Sequence, residues 1–242
     1  MYRPENALLP VLAIALRGES QQLSIEECKA AIRDSDPEYA EAPGNPIRLA
    51  KTLQLIDQDA QGTLRLTDYG QCGYRIVAGL HGAVARSADA NDAVHPDLAI
   101  DTIDAHRGND ALIAFLRDRY LATPPIRLLV RILADQENSR MEVSQLLSAI
   151  TYESPDVFNA LFCRDDTGLR ALLNDTSLSD CEFRRQLLDL TMVTYLYNFV
   201  NQLQVIGILS EGSDKTDSTQ DLQLGELYWE WDPDQIGAIG AI

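Results

Sequence analysis

Residues 46–70 read PIRLAKTLQLIDQDAQGTLRLTDYG, and the way this stretch changes periodicity decides the fold of the first third of the chain. Asn45-Pro46 suits an N-cap followed by a first helical residue, because proline's missing amide is an orphan donor at that position. In the helix that follows, Leu49, Leu53 and Ile56 fall on one face. A rotation of about 100° per residue puts Arg48, Lys51, Thr52, Leu55 and Gln58 on the other, so a short basic and polar stripe is expected to face outward. Gly62 permits a turn after Asp57 and Asp59, and Thr63-Leu64-Arg65-Leu66 alternates as a strand does. Thr67-Asp68 then caps a further helix, expected to run through about Val84.

Upstream, residues 6–17 (NALLPVLAIALR) are apolar over a helical length, with Pro10 near enough to the start to be tolerated. Ser24-Ile25-Glu26-Glu27 has the spacing of a capping box, in which serine and glutamate satisfy each other's orphan amides, so a second helix is expected through about Arg33. The acidic segment DSDPEYAEAPG (34–44) breaks it.

Helix, Leu55-Ile56 pair, turn with Gly62, alternating strand and Leu66-Thr67-Asp68-Tyr69-Gly70 together resemble the helix-to-wing stretch of winged helix-turn-helix proteins, many of which carry an LTxxG ending. Asp57 departs from the residues that commonly follow such a pair. The resemblance covers about 25 residues and implies a three-helix unit with a two-stranded wing, a fold used chiefly for binding.

A second copy is expected further on. Residues 110–121 and 125–135 read as short amphipathic helices, and Ser139-Arg140-Met141-Glu142 has capping-box spacing for a helix to Ile150. Ser179-Asp180-Cys181-Glu182 has it again, before the longest helical pattern in the chain, FRRQLLDLTMVTYLYNFVNQLQVIGIL (183–209). Its ending, Gln204-Val205-Ile206-Gly207-Ile208-Leu209, resembles the Leu53–Ile56 step. The polar turn SEGSDKTDSTQD (210–221) and the strand LQLGELYWEW (222–231) then read as a longer wing without the LTxxG ending. The expected organisation is a mainly α fold with small β wings: a winged-helix domain over 1–88, an acidic connector over 89–109, and a second winged-helix domain over 110–242 with 152–178 inserted.

The 242 residues, 45% hydrophobic and 24% charged, suit two folded domains rather than disorder. No run of about 18 apolar residues argues for a membrane span, and the start lacks a basic leader, so a cytoplasmic protein is expected. Four cysteines and three histidines are scattered without metal-ligand spacing, and no metal or other cofactor is expected. No GxxxxGK[ST], GxSxG, HExxH or GxGxxG occurs. Glu27-Cys28-Lys29 and Asp165-Asp166 read as helix-cap and turn residues rather than cation sites. No catalytic apparatus is visible.

A net charge of −17 counts against phosphate contact, yet residues 43–86 hold five basic residues against three acidic ones. The expectation is a non-enzymatic protein that binds double-stranded DNA, such as a transcription regulator or a recognition subunit of a DNA-processing or defence system. Arg48, Lys51 and Thr52 would meet the groove, Arg65 on the wing a neighbouring phosphate, and Asn198, Asn201 and Gln202, beside Thr194, adenine edges. The rival expectation is an acidic winged-helix subunit that docks on a protein partner or a second copy, or that mimics DNA. The apolar tail IGAIGAI (236–242) could take part in such docking.

Overall fold

A computed structural model describes residues 3–17, 22–35, 39, 41–88, 98–210 and 221–225. Residues 211–220 of the turn expected over 210–221, the outer part of the second wing and the 236–242 tail lie outside them. The described chain is mainly helical, with small antiparallel sheets, and falls into two compact units, Pro4–Thr123 and Pro124–Ile242. Among the described residues no helix is long and apolar enough to cross a membrane.

In the first unit, a 3-10 turn (Pro4–Leu8) leads into α1 (Leu9–Ala15), with Pro10 in its first turn as anticipated. β1 (Gln22–Ser24) and α2 (Ile25–Ser35) follow. Next come α3 (Gly44–Thr52), β2 (Ile56–Gln58), β3 (Thr63–Leu66) and α4 (Asp68–Ala88). The strands form one antiparallel sheet in the order β1-β3-β2. Leu64, at the centre of β3, is fully buried, and α1 packs against α2, α3 and α4 around Leu12, Ile14, Ile32 and Val77.

Two local expectations for this unit change. Asn45 is not the N-cap of α3, which begins one residue earlier; its carboxamide oxygen instead accepts from Arg48 within the helix. Leu55 is fully buried rather than outward, because the helix stops at Thr52 and Gln54 takes a positive φ of 59°, which ends the 100° rotation.

The unit then continues past the expected boundary. α5 (Thr102–Ala105) and α6 (Asp110–Leu121) pack on α4 and on the first 3-10 turn. Ile103, Leu112 and Leu116 are fully buried, and the Glu5 carboxylate, 2% exposed, accepts the Gly108 amide at 3.1 Å. Residues 99–109, expected in the connector, and α6, expected to open the second domain, therefore belong with the first unit. The division falls between Thr123 and Pro124.

The second unit runs α7 (Pro124–Ala134), β4 (Arg140–Glu142), α8 (Val143–Glu153), α9 (Pro155–Leu161), α10 (Asp166–Asn174), α11 (Asp180–Leu190), α12 (Val193–Val205) and β5 (Asp221–Gln223). β4 pairs antiparallel with β5, and Leu209 bridges Leu224. The box expected at Ser139–Glu142 does not form. Arg140–Glu142 is committed to the sheet, and Glu142 accepts from Ser144 instead. The long helix expected over 183–209 is broken at Thr191, whose backbone is extended and pairs with Cys163 while its hydroxyl donates to Leu187 O at 2.8 Å.

Two capping boxes form as the sequence indicates. The Ser24 and Glu27 amides are each satisfied by the other's side chain (3.0 and 3.2 Å), and Ser179 with Glu182 repeats the arrangement (3.0 and 3.4 Å). Hydrogen bonds from the serine hydroxyl, then from its amide, hold both glutamates below the ordinary carboxylate range. A depressed folded-state pKa contributes stability above the unfolded value and loses it as pH falls through the folded one. Thermal melts followed by circular dichroism should therefore show the Ser24→Ala/Ser179→Ala variant melting roughly a few degrees lower at pH 7. The gap to the wild type should narrow as pH falls below the carboxylate range, leaving the part due to the Glu27 and Glu182 amides that the serine oxygens accept; a gap independent of pH would contradict the assignment.

Candidate nucleic-acid interface

α3 buries Pro46, Ile47 and Ala50, with Leu53 just beyond its end, and this places Arg48, Lys51 and Thr52 on its exposed side. Each is held locally. Arg48 Nη2 donates to Asn45 Oδ1 at 3.2 Å, and Thr52 Oγ1 donates to Arg48 O at 3.0 Å. Lys51 Nζ donates to Gln58 Oε1 at 2.6 Å, which ties the helix to β2. None of Arg48, Lys51 and Arg65 is in an ion pair among the described residues. Their charges are thus not offset by a direct partner, and an exposed hydrogen bond to a neutral amide is readily exchanged for one to phosphate.

Arg65 sits elsewhere. It is exposed on β3 and paired in register with Gln22 on β1 and Asp57 on β2, whereas Leu64 beside it faces the core. Alternation along the strand puts Arg65 on the outer face of the sheet, opposite the face that Leu64 turns to the core. The sequence set therefore separates into three α3 residues that come together and one that does not. Asp57 lies directly across from Arg65, a spacing at which opposite charges attract. The hairpin tip carries no cation. Asp59 Oδ1 closes it by accepting the Gln61 and Thr63 amides, both at 2.9 Å.

The sequence assigned Thr67 a capping role at the start of α4, and its LTxxG pattern did not signal the second role, a tie back to the end of α3. Thr67 Oγ1 donates to Gln54 O at 2.6 Å and accepts the Gly70 amide at 3.1 Å, and Thr67 N donates to Leu55 O at 3.1 Å. The end of α3 is thereby clasped to the start of α4. Gly70 packs against the Leu55 carbonyl so closely that a Cβ would lie 2.0 Å from its oxygen. Gln58, the partner of Lys51, was grouped with the outward residues, but nothing in the sequence signalled that it tethers the lysine.

In the second unit the proposed amide face does not assemble. Thr194 is exposed and Asn198 half-buried, but Asn201 and Gln202 are 7% and 9% exposed, and amides so covered have no route to a base edge. They flank Val200 and Leu203, which are fully buried, and this is where the rotation of α12 places them. Among the described residues no group of three or more His, Cys, Asp or Glu is placed to hold a metal ion.

No protein-family model matches the chain, and no curated protein or solved structure is found to be similar to it.

Proposed function

We propose that this protein is a non-enzymatic double-stranded DNA-binding protein built from two winged-helix units, with α3 as the helix that enters the groove. The observation that carries the reading is the exposed Arg48, Lys51 and Thr52 cluster on α3, free of ion pairs among the described residues of an otherwise acidic chain. The element order supports it: helix, strand, two helices and a hairpin, with the first strand on the far side of the hairpin's second strand. In this reading Arg48 and Lys51 neutralise phosphates or meet guanine edges and Thr52 adds a hydrogen bond. Arg65, on the outer sheet face, contributes less.

Fluorescence anisotropy with a random-sequence duplex, titrated from 50 to 200 mM salt, tests it. Arg48→Ala and Lys51→Ala should each weaken binding by about eightfold at 0.1 M salt and reduce the salt slope by about 0.9, the signature of one lost phosphate contact. Arg65→Ala should change affinity by about twofold or less. Absence of duplex binding at 50 mM salt would rule the reading out.

A second reading, an acidic subunit that docks on a protein or takes the place of DNA in a basic groove, is favoured by the net charge of −17 and by the buried Asn201 and Gln202. It predicts no duplex affinity for the wild type and no effect of Lys51→Ala.

A further inference from the structure

The two units share a residue-by-residue match that extends to single hydrogen bonds. At the end of α3, Leu53 N donates to Leu49 O, Gln54 N to Lys51 O and Leu55 N to Ala50 O, at 2.9, 3.0 and 2.8 Å. At the end of α12, Ile206 N donates to Gln202 O, Gly207 N to Gln204 O and Ile208 N to Leu203 O, at 3.2, 3.0 and 2.8 Å. Both helices stop on a residue with positive φ, Gln54 at 59° and Gly207 at 74°. The sheets agree in the same way. Ile56 pairs with Leu66 and Leu209 with Leu224; Thr67 N donates to Leu55 O at 3.1 Å and Gly225 N to Ile208 O at 2.9 Å. Leu23-Leu64 on one side corresponds to Met141-Leu222 on the other.

This match fixes which residue of the second unit stands where each cation of the first does. Asn201, 7% exposed, takes the place of Arg48. Gln204 takes that of Lys51, and its amide is turned back to Ser210 O at 3.2 Å. Val205, 49% exposed, replaces Thr52, and Gln223 replaces Arg65. The nearest cation on that sheet, Arg140, opposes Gln223 and is paired with Asp221 at 2.6 Å. No position equivalent to a proposed contact retains a positive charge, and one that donated a hydroxyl now exposes a valine.

We infer that the two copies are functionally unequal: among the described elements the duplex contact is made by α3 and its sheet, and α12 and the β4-β5 sheet of the second unit do not engage DNA. This rests on the duplex reading of α3. Each phosphate contact contributes about 0.9 to the salt slope, so contact through α3 with at most Arg65 in addition gives a slope of about −2 to −3 rather than the steeper value of two engaged units.

The test places a carboxylate at matched positions of the full chain and measures duplex affinity at 0.1 M salt. Lys51→Glu should weaken binding more than tenfold, because it removes one contact and adds repulsion. Gln204→Glu and Gln223→Glu should stay within twofold of wild type, with the salt slope unchanged. Gln223 is exposed, so its variant remains informative if Gln204→Glu disturbs the unit. If Gln223→Glu, or a folded Gln204→Glu, weakens binding by tenfold, both units engage DNA and the inference is overturned while the reading of α3 stands. If the wild type binds no duplex, the reading of α3 fails and the inference falls with it.

Discussion

Gly70→Ala is expected to destabilise the first unit by about 3 kcal/mol, lowering its melting temperature by roughly 10 °C, and, on the duplex reading proposed for α3, to weaken duplex binding in parallel. An added Cβ would meet Leu55 O at 2.0 Å, Leu55 C at 3.1 Å and Leu66 Cδ2 at 3.3 Å. The first two are backbone atoms, held by the bond that Leu55 N donates to Ala50 O and the one that Leu55 O accepts from Thr67 N, so the overlap is relieved only by moving the end of α3 away from α4. That movement would misdirect Arg48, Lys51 and Thr52. A control within the same helix has the opposite sign. A Cβ at Gly79 would meet nothing within 4 Å, and there Gly79→Ala should stabilise by about 0.5 to 1 kcal/mol through helix propensity. Thermal melts of both variants by circular dichroism decide the matter; equal melting temperatures would refute the clasp.

Phe158→Ala should cost about 3 to 5 kcal/mol, a large share of the roughly 5 to 15 kcal/mol that holds a typical domain together. Phe158 is fully buried on α9, with its ring centroid 6.1 Å from that of Phe162, which in turn meets Phe199 edge to face at 5.1 Å. Phe162 shares its surroundings with Leu146, Leu147, Leu196 and Val200. The backbone joins in: Met192 N donates to Phe162 O at 2.7 Å and Arg164 N to Leu190 O at 3.1 Å. Residues 152–178, which the sequence placed only as an insertion, thus supply core to the second unit. Urea denaturation followed at 222 nm measures the cost, and a loss below about 1 kcal/mol would mean that α9 is peripheral.

Much of the local structure was legible because the interactions that make it are local. Ser24 to Glu27 and Ser179 to Glu182 are three residues apart, and a capping box needs nothing else. Ser139 to Glu142 has the same spacing and fails, because Arg140–Glu142 finds a partner in Asp221–Gln223, far along the chain. Periodicity likewise ran straight through Thr191, where pairing with Cys163 ends α11. The boundary was misplaced for a related reason. Composition marked 89–109 as a connector, while the bond from Gly108 to Glu5 and the burial of Ile103, both products of folding, attach its later part to the first unit.

The exposure of Arg48, Lys51 and Thr52 on one side of α3 was readable, since a face of nine helical residues follows from rotation alone. Arg65 was assigned to the strand, but its separation from the α3 face depends on which side of β3 packs on the core, and that is settled by Leu64. Asn201 and Gln202 were misread because rotation places side chains around an axis without saying what lies against them. The stretch 46–70 by itself determined a helix, a turn and a strand, through spacing and glycine placement. That the end of α3 is clasped at Thr67 and Gly70, with Leu55 held inward, was decided by tertiary structure, because the clasp requires the Gln54 and Leu55 carbonyls to come within hydrogen-bonding or contact distance of residues a dozen or more positions later.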